Sequence, residues 1–137
     1  YDYEDLVGFY LQSKGYFLMP STRFQSTKDY EFVAIGKNEK GEREIAVVQC
    51  KYYGKNYKGK KIDALDKKYT KLAETYKVYL ACNNGVSNID NVKYPNIKDI
   101  KNEELENFCR EKEFIIPDRI KFSVAYSLGY NQIQNSH

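Results

Sequence analysis

Four polar residues lie in or beside two otherwise apolar runs in the first half of the chain, and their types suit chemistry on a phosphodiester. The runs cover residues 30–36 (Tyr-Glu-Phe-Val-Ala-Ile-Gly) and 44–51 (Glu-Ile-Ala-Val-Val-Gln-Cys-Lys), and the stretch between them is polar and contains Gly41. β-Branched and aromatic runs of this length around a polar, glycine-bearing turn predict a β-hairpin. A turn centred on Lys40 sets Glu31 opposite Gln49 and Asp29 opposite Lys51. Because side chains alternate along a strand, all four then share one face, and a slip of one residue would scatter them.

Mg²⁺ takes oxygen ligands and keeps several waters, so one or two carboxylates plus substrate phosphate oxygens can hold it. Glu31 and Asp29 supply the carboxylates. Gln49 offers a carbonyl oxygen or a donor to an attacking water. Lys51 can stabilise developing negative charge, or take a proton from that water if burial and a nearby metal lower its pKa. The plainer reading is a rim ion pair between Asp29 and Lys51, with Gln49 satisfying its own hydrogen bonds. Against it, an unpaired polar group buried in an apolar sheet costs about 1–3 kcal/mol, and four such groups converge here.

Around the hairpin, the spacing of apolar residues predicts the elements that must hold it. Asp2 is a suitable N-cap, and Tyr3, Leu6, Val7, Tyr10 and Leu11 follow at helical spacing before Gly15. Glu4 lies at the edge of that apolar stripe, able to reach the seam between helix and sheet, and as an acid in the first turn it also complements the helix dipole. Residues 15–20 read as a short first strand that Pro20 confines to an edge. Residues 21–28 read as a loop.

A second helix is expected over residues 62–76, from Ile62, Leu65, Tyr69, Leu72 and Tyr76, and a fourth strand over 77–82, stopped by Asn83-Asn84-Gly85. Strand, helix, strand implies a crossover that places the fourth strand parallel to the third. Residues 86–95 read as irregular and 97–100 as a short last strand. A helix over 102–111 is capped by Asn102, and a last helix runs from Pro117 to Gly129 ahead of a polar tail. The expected class is α/β, with a central mixed sheet of four or five strands flanked by helices in the order αβββαβ. A single domain is expected, with a core over residues 1–82, a helical extension over 102–129 and a tail over 130–137.

Length and composition narrow the chemistry. The 137 residues can bury a sizeable core without staples. Cys50, Cys82 and Cys109 are widely spaced and form no CxxC pair, so neither a zinc set nor a disulfide framework is suggested; they read as core residues in a reducing, cytoplasmic setting. No apolar run is long enough to span a membrane, and no signal peptide is seen. Tyr1 stands where a Met would begin a chain, so preceding residues or further domains of a larger protein are expected. The one histidine, His137, is the last residue, which disfavours histidine-based acid–base or triad chemistry.

The net charge of +3 is unevenly distributed: nine lysines stand against three acids between Lys51 and Lys77. Residues 52–61, rich in Gly, Lys and Tyr, follow directly after Lys51. Lys55, Lys58, Lys60 and Lys61 can neutralise phosphates there, and Tyr52, Tyr53 and Tyr57 can pack against sugar or bases. Taken alone, such a run is more often a solvated loop; its place beside the four polar residues favours nucleic-acid binding.

Helix with Glu4, strand, acid-bearing strand, Val47-Val48-Gln49-Cys50-Lys51, helix and strand together resemble the PD-(D/E)xK, or restriction-endonuclease-like, nuclease superfamily over residues 1–82. The QxK form, with Glu4-Asp5-Leu6-Val7 and Gly15-Tyr16, is similar to its Mrr-like branch. The resemblance implies metal-dependent cleavage of DNA, with Mg²⁺ as the cofactor and Mn²⁺ able to substitute. It also implies metal binding by Glu4 and by the acid of the second strand. That acid maps to Glu31, which directly precedes Phe32-Val33-Ala34-Ile35, with Asp29 second. The sequence departs from the family in having Glu where Asp is usual and in lacking the preceding glycines. Two further readings stand beside the endonuclease: a nuclease-fold DNA-binding module that has lost cleavage, and an interaction domain whose polar cluster is an ion-pair network. A homodimer would suit double-strand cutting.

Overall fold

The computed structural model describes residues 2–20 and 29–112, with the backbone alone at residues 20 and 29–31. The loop expected at 21–28, the last helix and the tail lie outside the described residues. Helix α1 (Asp2–Ser13) buries Tyr3, Leu6, Val7, Tyr10 and Leu11, the stripe its spacing predicts. It ends where Gly15 adopts φ +93°, with Tyr16 N–H bonded to Leu11 C=O (3.1 Å) and Gly15 N–H to Gln12 C=O (3.0 Å). This paired closure needs a left-handed residue at its turn, which glycine supplies without strain.

The chain then forms β1 (Phe17–Pro20), β2 (Asp29–Lys37) and β3 (Arg43–Lys51), an antiparallel meander with β1 at the edge. The β2–β3 turn closes on Asn38, whose Oδ1 accepts from Lys40 N–H (2.9 Å) and Glu42 N–H (3.0 Å), while Gly41 takes φ +77°. That turn sets the register: Asp29 pairs with Lys51 and Glu31 with Gln49, as the sequence predicts.

After a single 3₁₀ turn (Lys55–Tyr57) come β4 (Ile62–Asp63), α2 (Lys67–Leu72), β5 (Lys77–Cys82), β6 (Val86–Ser87), β7 (Ile97–Ile100) and α3 (Asn102–Glu111). The main sheet is five-stranded and mixed, in the order β1-β2-β3-β5-β7, with β5 parallel to β3 and β7 parallel to β5.

The second helix is shorter than its periodicity predicts. Ile62 and Asp63 instead pair in parallel with Val86 and Ser87. Asp63 Oδ1 accepts from Leu65 N–H (2.9 Å), and Asp66 caps α2 through Lys68 N–H (3.1 Å). Aspartates that bond their own following backbone favour turns and caps over helix interiors, so the helix starts only after Asp66. At α3, the cap position is Lys101 rather than Asn102, and the Asn102 amide reaches across to Asn83 C=O (2.8 Å).

The sheet separates two apolar clusters. On one face, Phe32, Ala34, Ala46, Val48, Cys50 and Ala81 pack with α1 and with Leu105, Phe108 and Cys109 of α3. On the other, Val78, Leu80, Cys82 and Ile97 pack with Tyr53, Ile62, Ala64 and with Tyr69 of α2. The molecule is thus an α/β fold with helices on both sides of a five-stranded mixed sheet. Among the described residues no helix is long and apolar enough to cross a membrane.

Candidate active site

Gln49 and Lys51 belong to the second of these faces. Their parallel partners on β5 are Leu80 and Cys82, both in the α2-side cluster, whereas the intervening Cys50 pairs with Ala81 on the α1 side. On β2, the partners of Gln49 and Lys51 are positions 31 and 29, which the alternation of the strand assigns to the same face. The register therefore brings the positions of Asp29, Glu31, Gln49 and Lys51 together, two levels deep, at the C-terminal end of β3.

The environment grades along the strand. Gln49 is 6% exposed, one of few polar side chains buried among the described residues, while Lys51 is partly exposed. Burial pushes the Cys82 thiol up, and the Lys51 charge acts in the opposite direction on it, as expected of neighbours across the ladder. The site thus runs from an enclosed amide to a charge at the rim.

Glu4 comes from α1, which covers the opposite face from Gln49 and Lys51. It lines a cavity of about 210 Å³ with Asp5, Gly8, Phe9, Gln12, Leu18 and Phe32. It is nonetheless near the right level of the sheet: its charge adds to burial in raising the Cys50 thiol, and the neighbouring Tyr3 ring lies 5.7 Å from that of Tyr52, the residue after Lys51. Among the described side chains no three His, Cys, Asp or Glu residues group to hold a metal ion; those of Asp29 and Glu31 are outside that set.

The lysine-rich run is a built loop. Lys55, Lys58, Lys60 and Lys61 are all exposed. Tyr53 is buried, 7% exposed, within the α2-side cluster, while Tyr57 is 42% exposed. The Lys51 and Lys60 ammonium groups each lie 5.6 Å from the Tyr53 ring centroid, and Lys60 lies 5.4 Å from that of Tyr57. Cations over tyrosine faces at these distances are attracted to the ring quadrupole. A single ring thus links the last residue of β3 to the basic loop.

Sequence reasoning missed the residues that hold this loop. Asn83 and Asn84 read only as a strand stop, yet Asn83 bonds Tyr53 through both ends of its amide and Asn84 Nδ2 donates to Tyr57 C=O (2.9 Å). Two asparagines after an apolar strand announce a turn; nothing local announces that their side chains point back to a segment some 30 residues earlier. Compared with protein-family models, curated proteins and solved structures, the chain matches none.

Proposed function

We propose that this chain is a metal-dependent DNA endonuclease with a restriction-endonuclease-like core. The observation that carries the reading is the β2–β3 register, which sets two acid positions opposite Gln49 and Lys51 at one end of one sheet face. Apart from the two-residue β4, which pairs outside the main sheet, the order α1, β1, β2, β3, α2, β5 supports an αβββαβ core, and the exposed lysines of the loop after β3 suit a phosphate backbone.

The donor set fits Mg²⁺. Carboxylate and amide oxygens are its preferred protein ligands, and histidine and thiolate are not needed. Glu31, Asp29 and the Gln49 carbonyl oxygen would hold it, with Glu4 adding negative charge from the helix side of the same strand end. A metal bound there supplies Lewis-acid polarisation of the phosphate and a lowered pKa for a coordinated water. The chain's own groups do the rest. Gln49, enclosed and fixed by the sheet, orients the attacking water. Lys51, at the rim, sets its ammonium against the charge that builds on the phosphoryl oxygens as the P–O bond to the leaving oxygen lengthens. Lys55, Lys58, Lys60 and Lys61 grip flanking phosphates without reading bases.

Supercoiled plasmid incubated with the protein and Mg²⁺ tests the reading. Nicking that needs the metal and disappears in Lys51→Ala, while that variant keeps its thermal transition, is the expected result. DNA binding that persists in both proteins with no cleavage by either would instead identify a binding module.

A further inference from the structure

We infer that Asn83 is a positioning residue for Lys51: its carboxamide replaces the strand partner that β5 ceases to supply and so sets the path of the chain just beyond the site. The inference rests on the nuclease reading for its catalytic consequence, though not for its geometry. The β3–β5 ladder ends at Lys51 and Cys82. One step further, Asn83 Oδ1 accepts from Tyr53 N–H at 2.8 Å and Asn83 Nδ2 donates to Tyr53 C=O at 2.7 Å, the two bonds that a neighbouring strand would make. At neutral pH a side-chain amide carries an acceptor and a donor side by side in this way, whereas an ionised carboxylate offers acceptors alone.

The pin is itself anchored. Asn83 is 4% exposed, and its own C=O accepts from Asn102 Nδ2 at 2.8 Å, which ties it to the start of α3. Around it, Asn84 holds Tyr57 C=O, and the Cys82 thiol lies 3.9 Å from Lys60 C=O. Residues 54–61 offer no buried side chain, so hydrogen bonds rather than packing hold that stretch in place. Tyr53 is the hub: its backbone is clasped by Asn83, and its ring lies beneath both Lys51 and Lys60. Releasing the Tyr53 backbone shifts the ring within its cluster, and the two ammonium groups lose the set position of their shared platform.

The test uses the full chain with its lysines reductively ¹³C-methylated, which leaves their charge in place. In the unmodified sequence the Lys51 and Lys60 methyl signals are expected upfield of those of Lys55 and Lys58, through the Tyr53 ring current. So are those of Lys14, Lys68 and Lys93, which lie over the rings of Tyr10, Tyr69 and Tyr94 and serve as unmoved references. Asn83→Ala is expected to move the Lys51 and Lys60 signals toward those of Lys55 and Lys58 and to lower kcat for plasmid nicking on the order of 10²-fold, the cost of a displaced catalytic group. Asn83→Asp provides the second variant. As a carboxylate it keeps the Tyr53 N–H bond but sets an oxygen against Tyr53 C=O; protonated, it regains the donor. Its lysine signals, and its nicking rate relative to the parent at each pH, are expected to recover together as pH falls.

Unmoved lysine signals in Asn83→Ala, or moved signals with an unchanged kcat, overturn the inference. If the parent protein does not nick DNA at all, the nuclease reading falls by itself. Displaced lysine signals in Asn83→Ala would then still uphold the placement of Lys51 by Asn83, and unmoved ones would reject it.

Discussion

Glu31 and Gln49 are Cα partners across the β2–β3 ladder, one level inside the Asp29–Lys51 pair. The inner level is the enclosed one, since Gln49 is 6% exposed whereas Lys51 sits at the rim. A hard cation beside a neutral amide needs negative charge from the position opposite, and there a carboxylate acts in a lower dielectric than at the edge. Glu31→Gln is therefore expected to lower single-turnover nicking at saturating Mg²⁺ on the order of 10²-fold or more. Asp29→Asn is expected to cost only about tenfold, as a supporting group does. The reverse ranking would move the metal outward to the rim.

The loop lysines make a separate prediction, because phosphate contacts declare themselves through salt. Lys58 is exposed on the loop that follows Lys51, and Lys40 is exposed at the β2–β3 turn, the opposite end of the hairpin. Each phosphate contact contributes roughly 0.9 to the slope of log K against log salt on duplex DNA. Lys58→Ala is expected to reduce that slope by about 0.9, equally on two unrelated duplexes. Lys40→Ala should leave it unchanged. Equal effects from the two substitutions, measured by fluorescence anisotropy across a salt series, would remove the loop from the DNA path.

The hairpin register was legible because it depends on local rules: polar turn residues around Gly41 and strict alternation on either side. Helix α1 was legible for the same reason, its buried stripe being a property of its own twelve residues. The start of α2 was not, since Ile62 satisfies a helical period and a two-residue pairing with Val86 equally well, and the choice is made by Asp63 and Asp66 bonding their own backbone. The Asn83 pin was illegible for a further reason. A buried asparagine and a turn asparagine look identical in sequence, and only the fold brings Tyr53 within reach. The candidate site was thus visible in its residue types and hidden in its supports.

Tyr16 closes the opposite end of the sheet and predicts alkaline sensitivity. Its hydroxyl donates to Glu44 (2.6 Å) and lies 3.0 Å from that of Tyr79, and its ring packs on Gly36, the ladder partner of Glu44. Burial first, then the Glu44 bond, raises the Tyr16 pKa well above the ordinary tyrosine value. A raised pKa favours the neutral phenol in the folded state, so its stabilisation is complete below about pH 10 and declines as pH rises beyond it. Tyr16→Phe is expected to destabilise the protein at pH 7 by about 1–2 kcal/mol and to flatten the loss of stability above pH 10, both read from urea titrations. A Cβ at Gly36 would stand 2.6 Å from the Tyr16 ring, so Gly36→Ala forces the ring off the strand and is expected to cost about 1–3 kcal/mol. A Gly36→Ala variant as stable as the parent would mean that the Tyr16 ring does not rest on the strand.

The three cysteines predict what the chemistry does not use. Cys50, Cys82 and Cys109 are free and no more than 3% exposed, and burial raises each thiol, that of Cys109 to about 11. The thiolate is the reactive species, so at pH 8 a thiol of pKa about 11 is ionised to the extent of roughly one part in a thousand. Ellman's reagent at pH 8 is expected to react with all three in guanidinium and to leave the native protein essentially untouched for hours. Iodoacetamide under native conditions should likewise leave nicking unchanged, because no step assigned to Gln49 or Lys51 passes through sulfur. The raised Cys109 pKa adds its own pH term: stability it contributes holds below the ordinary thiol range near 8.5 and is lost as pH rises toward about 11. Cys109→Ala should remove that portion of the alkaline slope. One thiol reacting rapidly in the folded protein, with activity lost in step, would set a nucleophile against the assignment of the chemistry to Gln49 and Lys51.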